Sequence, residues 1–170
     1  MEEQDYPAEH MKVLLSSTDP QKRKEGLVAS CYYCLNNRTI DDYCRQSLLD
    51  EDNVVQDIAA SAVAIRGLLD CLQVLVDRMN SPDWEIRMFY GDSVKNLLEH
   101  AADDFLFDIA CKDTGWLAYI ACIIMINRRA ESEYICHKFD KLTNDPSVVA
   151  VMRVPSEELR ESWDRITKIN

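Results

Sequence analysis

Two thiols three residues apart, Cys31 and Cys34 in "SCYYCL", are the first groups in this chain whose types and spacing could do chemistry. On a helix such residues share a face, so they could form half of a tetrahedral zinc site or a redox dithiol. Neither is completed, because the chain has no second Cys-x-x-Cys, no His-x3-His and no preceding strand of the kind a thioredoxin-like site needs. Filling a core as small hydrophobes is the commoner use of helical cysteine. Cys44, Cys71, Cys111, Cys122 and Cys136 stand among apolar neighbours and take the same reading. Cys136 adjoins His137, the elements of a Cys-His dyad, but no nucleophile motif surrounds them, and His10 and His100 are far away in sequence. Gly-rich phosphate loops, Ser-centred elbows and His-Glu-x-x-His are absent. The carboxylate pairs Asp41-Asp42 and Asp103-Asp104 fall at helix starts, where the helix dipole favours negative charge without any catalytic role. The expectation is a protein with no catalytic residue, no cofactor and no metal.

Composition narrows the class further. With 170 residues the chain is expected to form one domain, 1–170, and four Gly and five Pro are too few for a turn-rich all-β fold. Thirty acidic against 19 basic residues leave a net charge of −11, which favours a basic protein partner over nucleic acid. The first twelve residues, "MEEQDYPAEHMK", are acidic and lack the apolar region of a signal peptide, so a cytoplasmic protein with reduced thiols is expected. The most apolar run, Trp116 to Ile126, has eleven residues, too few to cross a bilayer of roughly 30 Å, and reads as a central buried helix.

Helix starts organise the rest. A capping residue before an apolar periodic run occurs at Asp19-Pro20, Asp52-Asn53, Ser81-Pro82, Asp113-Thr114 and Asp145-Pro146. Successive starts follow one another at a near-constant interval of about 30 residues, which indicates stacked helical units. Each interval has room for two helices. Thr39 with Asp42 suggests a capping box for a second helix in the first interval, and Gly67 is placed to close the first helix of the next. A leading helix is expected near residues 8–16, and a final polar helix after Pro155-Ser156, with Leu159, Trp163 and Ile166 facing inward.

The segment "SPDWEIRMFYGDSVKNLL" resembles a HEAT repeat, with Ile86-Arg87 in the place of that family's Val-Arg pair and Ile86, Tyr90, Val94 and Leu97 supplying the inner face. The other copies are degenerate, with Lys24 and Gln56 standing where Arg87 does. The resemblance implies an all-α fold: a short right-handed HEAT-like superhelix of about five stacked helix pairs with a C-terminal capping helix, sharing one elongated core.

On such an array the polar faces of the second helices would form an acidic strip. Asp57 and Ser61 would contribute to it from one helix, and Glu85, Met88, Asp92, Lys95, Asn96 and Glu99 from the next. Trp84 and Trp116, one such interval apart in the first turns of successive units, would sit at one rim as anchors or as inter-unit packing. In size, charge and implied architecture the chain resembles small bacterial toxin-immunity proteins, which neutralise a cognate and often basic nuclease toxin by occluding its active site or substrate surface. The expected partner is therefore a basic protein, met by a chain that is monomeric when free. The alternative is a HEAT-like scaffold or adaptor recognising a peptide or folded domain. HEAT-like DNA glycosylases are disfavoured, since Lys22, Arg23 and Lys24 form the only basic cluster.

Overall fold

Asp19, Asp52 and Asp83 each cap a helix with a side-chain oxygen, which explains why these segments become helical where they do. A computed structural model describes residues 8–33, 37–112, 115–129, 132–145 and 148. Among these residues every regular element is helical. The α-helices are α1 (Ala8–Leu15), α2 (Pro20–Tyr32), α3 (Arg38–Ser47), α4 (Asn53–Ile65), α5 (Leu72–Met79), α6 (Trp84–Leu98), α7 (Asp103–Lys112), α8 (Gly115–Asn127) and α9 (Glu133–Thr143), and a short 3₁₀ helix, Leu69–Cys71, precedes α5.

The structure corrects two of the expected starts. Asn37, not Thr39, caps α3, because its side chain accepts from the amides of Thr39 and Ile40 and places Thr39 inside the helix. Helix α6 begins two residues beyond Ser81-Pro82, since Asp83 takes the capping role and Ser81 Oγ in turn accepts the Asp83 amide at 3.2 Å. The expected starts at Asp113-Thr114 and Asp145-Pro146, the fifth interval and the final helix with Leu159, Trp163 and Ile166 lie wholly or largely outside the described residues.

Three successive turns share one bonding pattern. Ser17, Asp50 and Ser81 each accept the amide of an Asp two residues on, namely Asp19, Asp52 and Asp83. Four residues after each capping Asp, a long polar side chain reaches back to a carbonyl of the same turn. Arg23 bonds Thr18 O at 3.0 Å, Arg87 bonds Pro82 O at 3.3 Å, and Gln56 Nε2 bonds Asp50 O. The counterpart of Arg87 in the first turn is therefore Arg23, one residue before the expected Lys24. Residue type alone could not settle this register in "KRK"; the cap residue does.

The chain divides into two compact units, Met1–His100 and Ala101–Asn170. In the first, α1 packs on α2, α3 on α4 and α5 on α6, while α4 also lies between α2 and α6. Alanines Ala59, Ala60 and Ala62 on α4 are fully buried, and their small side chains suit a helix packed on several sides. Helices α1 and α2 approach so closely at Gly26 that an added Cβ would stand 2.9 Å from Leu15 Cγ and 3.0 Å from the Leu15 backbone nitrogen. In the second unit α8 packs against both α7 and α9. Eight of its residues are buried, including Tyr119, Cys122 and Met125, as expected for an eleven-residue apolar run.

Gly67 ends α4 with φ +67°, donating to Ala64 O at 3.2 Å while Leu68 donates to Val63 O at 3.1 Å, the paired bonds of a Schellman motif. A Cβ here would lie 2.8 Å from His100 Cγ. Gly67→Ala is expected to cost about 1–2 kcal/mol, with Gly67→Asn losing less, because Asn tolerates left-handed backbone better. Urea titration checks this, and equal stability of all three proteins would remove the cap from the account.

Candidate binding surface

Helices α2, α4 and α6 leave an open trough of about 420 Å³ on the surface of the first unit. Val28, Cys31 and Tyr32 from α2 form one wall, Ile58, Ser61 and Ile65 from α4 the base, and Phe89 from α6 the far wall. Among the described residues the only charged one in the lining is Asp57, whose Oδ1 accepts the Tyr90 hydroxyl at 3.0 Å. Burial, together with the bond to this carboxylate, pushes the Tyr90 hydroxyl up to about 12, so it remains a donor at neutral pH. A second concavity of about 470 Å³ shares Val28, Tyr32 and Ile58 and extends the surface over α2 to Gln21 and Tyr33.

The anticipated acidic residues take defined places around it. Glu85, Asp92, Asn96 and Glu99 are exposed on α6, while Met88 and Lys95 are half-buried beside them. Lys95 pairs with Glu99 at 3.2 Å, but Glu85, Asp92 and Asp57 form no ion pair among the described residues. Glu85 and Asp92 stand four residues before and three after Phe89, so both neighbour it on the helix surface. Asp57 and Ser61 are half-buried in the trough.

One expectation about α6 needs correction. Ile86 does not belong to the inner stripe and is 40 % exposed, because the buried stripe of α6 begins only at Tyr90. Trp84 and Trp116 fall in different units. Trp84 lies under the Arg87 guanidinium, 5.9 Å from the ring centroid, and Trp116 stacks on Tyr119, which stacks on Phe139, at 5.4 and 5.3 Å. Packing in its own unit thus engages the Trp116 ring.

The apolar lining, Val28, Ile58, Ile65 and Phe89, is not among the residues that the spacing singles out, because hydrophobicity alone does not distinguish a trough from a core. The available signal was α4 itself, whose apolar residues exceed what one buried stripe accommodates: Val55, Ala59 and Val63 fill the core and Ile58 and Ile65 face elsewhere.

The thiols separate by depth. Cys44, Cys71 and Cys122 are buried, and burial raises all three, Cys71 and Cys122 to about 11, which keeps these thiols protonated and poorly nucleophilic. Cys111, read as core, is exposed on α7, because the buried stripe of that helix runs through Leu106, Ile109 and Ala110. Cys31 is half-buried with its Sγ 3.3 Å from Leu27 O, and Cys34 lies outside the described residues. Among the described residues no group of three or more His, Cys, Asp or Glu is arranged to hold a metal ion, and no helix is long and apolar enough to cross a membrane.

Compared with protein-family models, curated proteins and solved structures, the chain matches none.

Proposed function

We propose that this chain is a non-catalytic binding module that covers a basic protein partner, and that its role is to neutralise a cognate toxin of nuclease type in the manner of small bacterial immunity proteins. The observation that carries this reading is the α6 surface, where Glu85, Asp92, Asn96 and Glu99 are all exposed beside an apolar trough. Carboxylates on such a face would occupy the positions that phosphates take on a basic nuclease and would accelerate association. The architecture proposed with it is a HEAT-like array. It is supported by the three equivalent turns and by a second correspondence: Arg66 pairs with Asp41, and Arg128 pairs with Asp103, both members of the second pair standing two intervals further along the chain. An adaptor that holds a partner's apolar segment is the second reading, favoured by the trough rather than by the charge.

Capture of the partner from a native source, followed by an assay of the captured protein's activity with and without this chain, tests the role. With that partner, Asp92→Lys and Glu99→Lys together are expected to weaken binding roughly 100-fold at low salt, mainly through slower association. Affinity indifferent to both ionic strength and these reversals would remove the acidic face from the interaction.

A further inference from the structure

The trough asks for a different kind of contact from the acidic face. Its base runs along α4 from Asp57 and Ile58 to Ile65, about two helical turns or roughly 10 Å. Its walls present Val28, Tyr32 and Phe89, respectively 43 %, 80 % and 37 % exposed, which is a large apolar area to leave against water on one small unit. Its volume of about 420 Å³ falls inside the roughly 300–1,000 Å³ range of ligand-binding concavities. Among the described lining residues the one charge, Asp57, stands at one end of the base. Asp57 keeps Oδ1 on the Tyr90 hydroxyl, and Glu85 and Asp92 stand one turn before and one turn after Phe89 on α6, all three without an ion-pair partner among the described residues. Of the described lining residues none is basic. Lys24 on the extended surface is held by Asp52 at 3.2 Å, and Arg78, whose charge reaches the Tyr90 hydroxyl, donates to Gln56 Oε1.

We infer that the α2–α4–α6 trough receives one amphipathic helix of the partner protein, which seats two large apolar side chains two turns apart between Tyr32 and Phe89 and sets a Lys or Arg against Asp57. This rests on the binding-module reading above and names the segment that such a partner must offer. A helix is the matching shape because apolar residues of the base recur at Ile58 and Ile65, the spacing that a second helix laid along α4 would meet with its own i and i+7 positions. The cation follows from complementarity: an acidic or neutral residue at that end would offer the Asp57 carboxylate no opposite charge from the partner. Tyr90 contributes by fixing the Asp57 carboxylate through its hydroxyl, so that the acceptor is oriented before the partner arrives.

The test uses the full chain and a displayed library of random peptides long enough for about four helical turns. Selection is expected to enrich peptides with two large apolar residues two turns apart and a Lys or Arg within a turn of one of them. Ile58→Asp and Phe89→Asp should each weaken the selected peptides roughly tenfold or more. Asp57→Asn, which preserves the shape and the acceptor for Tyr90, should weaken them about fivefold and erase the preference for a cation when the selection is repeated on that variant. Circular dichroism melts of these partly exposed positions separate loss of binding from loss of fold. Peptides that bind the Ile58→Asp and Phe89→Asp variants as tightly as the parent would overturn the inference, as would enrichment of acidic sequences or of none. If the selected peptides are lost on Asp92→Lys with Glu99→Lys but not on the trough substitutions, the acidic-face reading stands and the trough inference falls. Sedimentation showing a dimer that Ile58→Asp dissociates would assign the trough to a second copy of the chain and likewise overturn it.

Discussion

Replacing Asp50 with alanine is expected to destabilise the first unit by about 3 kcal/mol, with a lower urea midpoint and an unchanged slope. The Arg23 guanidinium donates to both Asp50 oxygens, at 2.7 and 2.8 Å, and the two side chains are 11 % and 9 % exposed. Removing the carboxylate leaves a largely buried cation, and it also strips the Asp52 amide of its acceptor. Arg45 and Asp70 make the same two-bonded contact at 2.7 and 3.1 Å, but their side chains are 32 % and 60 % exposed. Asp70→Ala should therefore cost no more than about 1 kcal/mol, since solvent screens the pair. If the two substitutions proved equal, burial would not be what decides the strength of these contacts.

The same pair predicts an acid limb. The Arg23 guanidinium holds the Asp50 carboxyl below its ordinary value of 3.8. A depressed carboxylate stabilises the folded state fully above that ordinary value, and the contribution is lost as pH falls through the folded-state value. Thermal melts from pH 6 downward should hold their midpoint until about pH 4 and then drop, and Asp50→Asn should show a shallower drop. An unchanged acid limb in that variant would mean other carboxylates carry it.

The second large effect is expected at Asp41. Arg66, at the C-terminal cap of α4, has a side chain 5 % exposed and bonds Asp41 on α3 at 2.7 Å through Nε and Ser30 O on α2 at 3.2 Å, so it ties three helices together. Asp41→Ala should cost about 3 kcal/mol, while replacing Arg66 and Asp41 together by Met and Leu should recover much of that, because no charge is then stranded. In the second unit the corresponding Arg128 bonds Ala101 O at 2.7 Å and Asp103 at 3.1 Å, but its side chain is 30 % exposed. Asp103→Ala is accordingly expected to cost below about 1 kcal/mol. Urea titrations of the four proteins check the contrast. Comparable losses at Asp41 and Asp103 would show that the position in the hairpin matters and burial does not.

Both predictions turn on contacts between residues well separated along the chain, and such contacts mark the limit of what could be read from it. Local rules carried the helices. Asp19-Pro20 and Asp52-Asn53 start α2 and α4 because a short acceptor side chain satisfies the amide two residues ahead, and for Asp52 also the one three ahead, and Gly67 ends α4 because its backbone needs a left-handed turn. These are interactions within one turn, so the order of residues dictates them, along with the buried character of α8. Where two local signals competed, as at Thr39 and Asn37 or at Ser81 and Asp83, spacing could not choose between adjacent acceptors.

What surrounds a residue is settled instead by packing between helices. Asp41 reads as a helix-start carboxylate, and only the packing of α3 against α4 brings Arg66 to it. Phe89 and Ile58 have the hydrophobicity of core residues, yet α4 has more apolar sides than α2, α3 and α6 together cover, so the excess lines a trough. Hydrophobicity measures a side chain's preference for burial. Whether that preference is met depends on how many neighbouring helices reach its face, and that number is a property of the assembled layers.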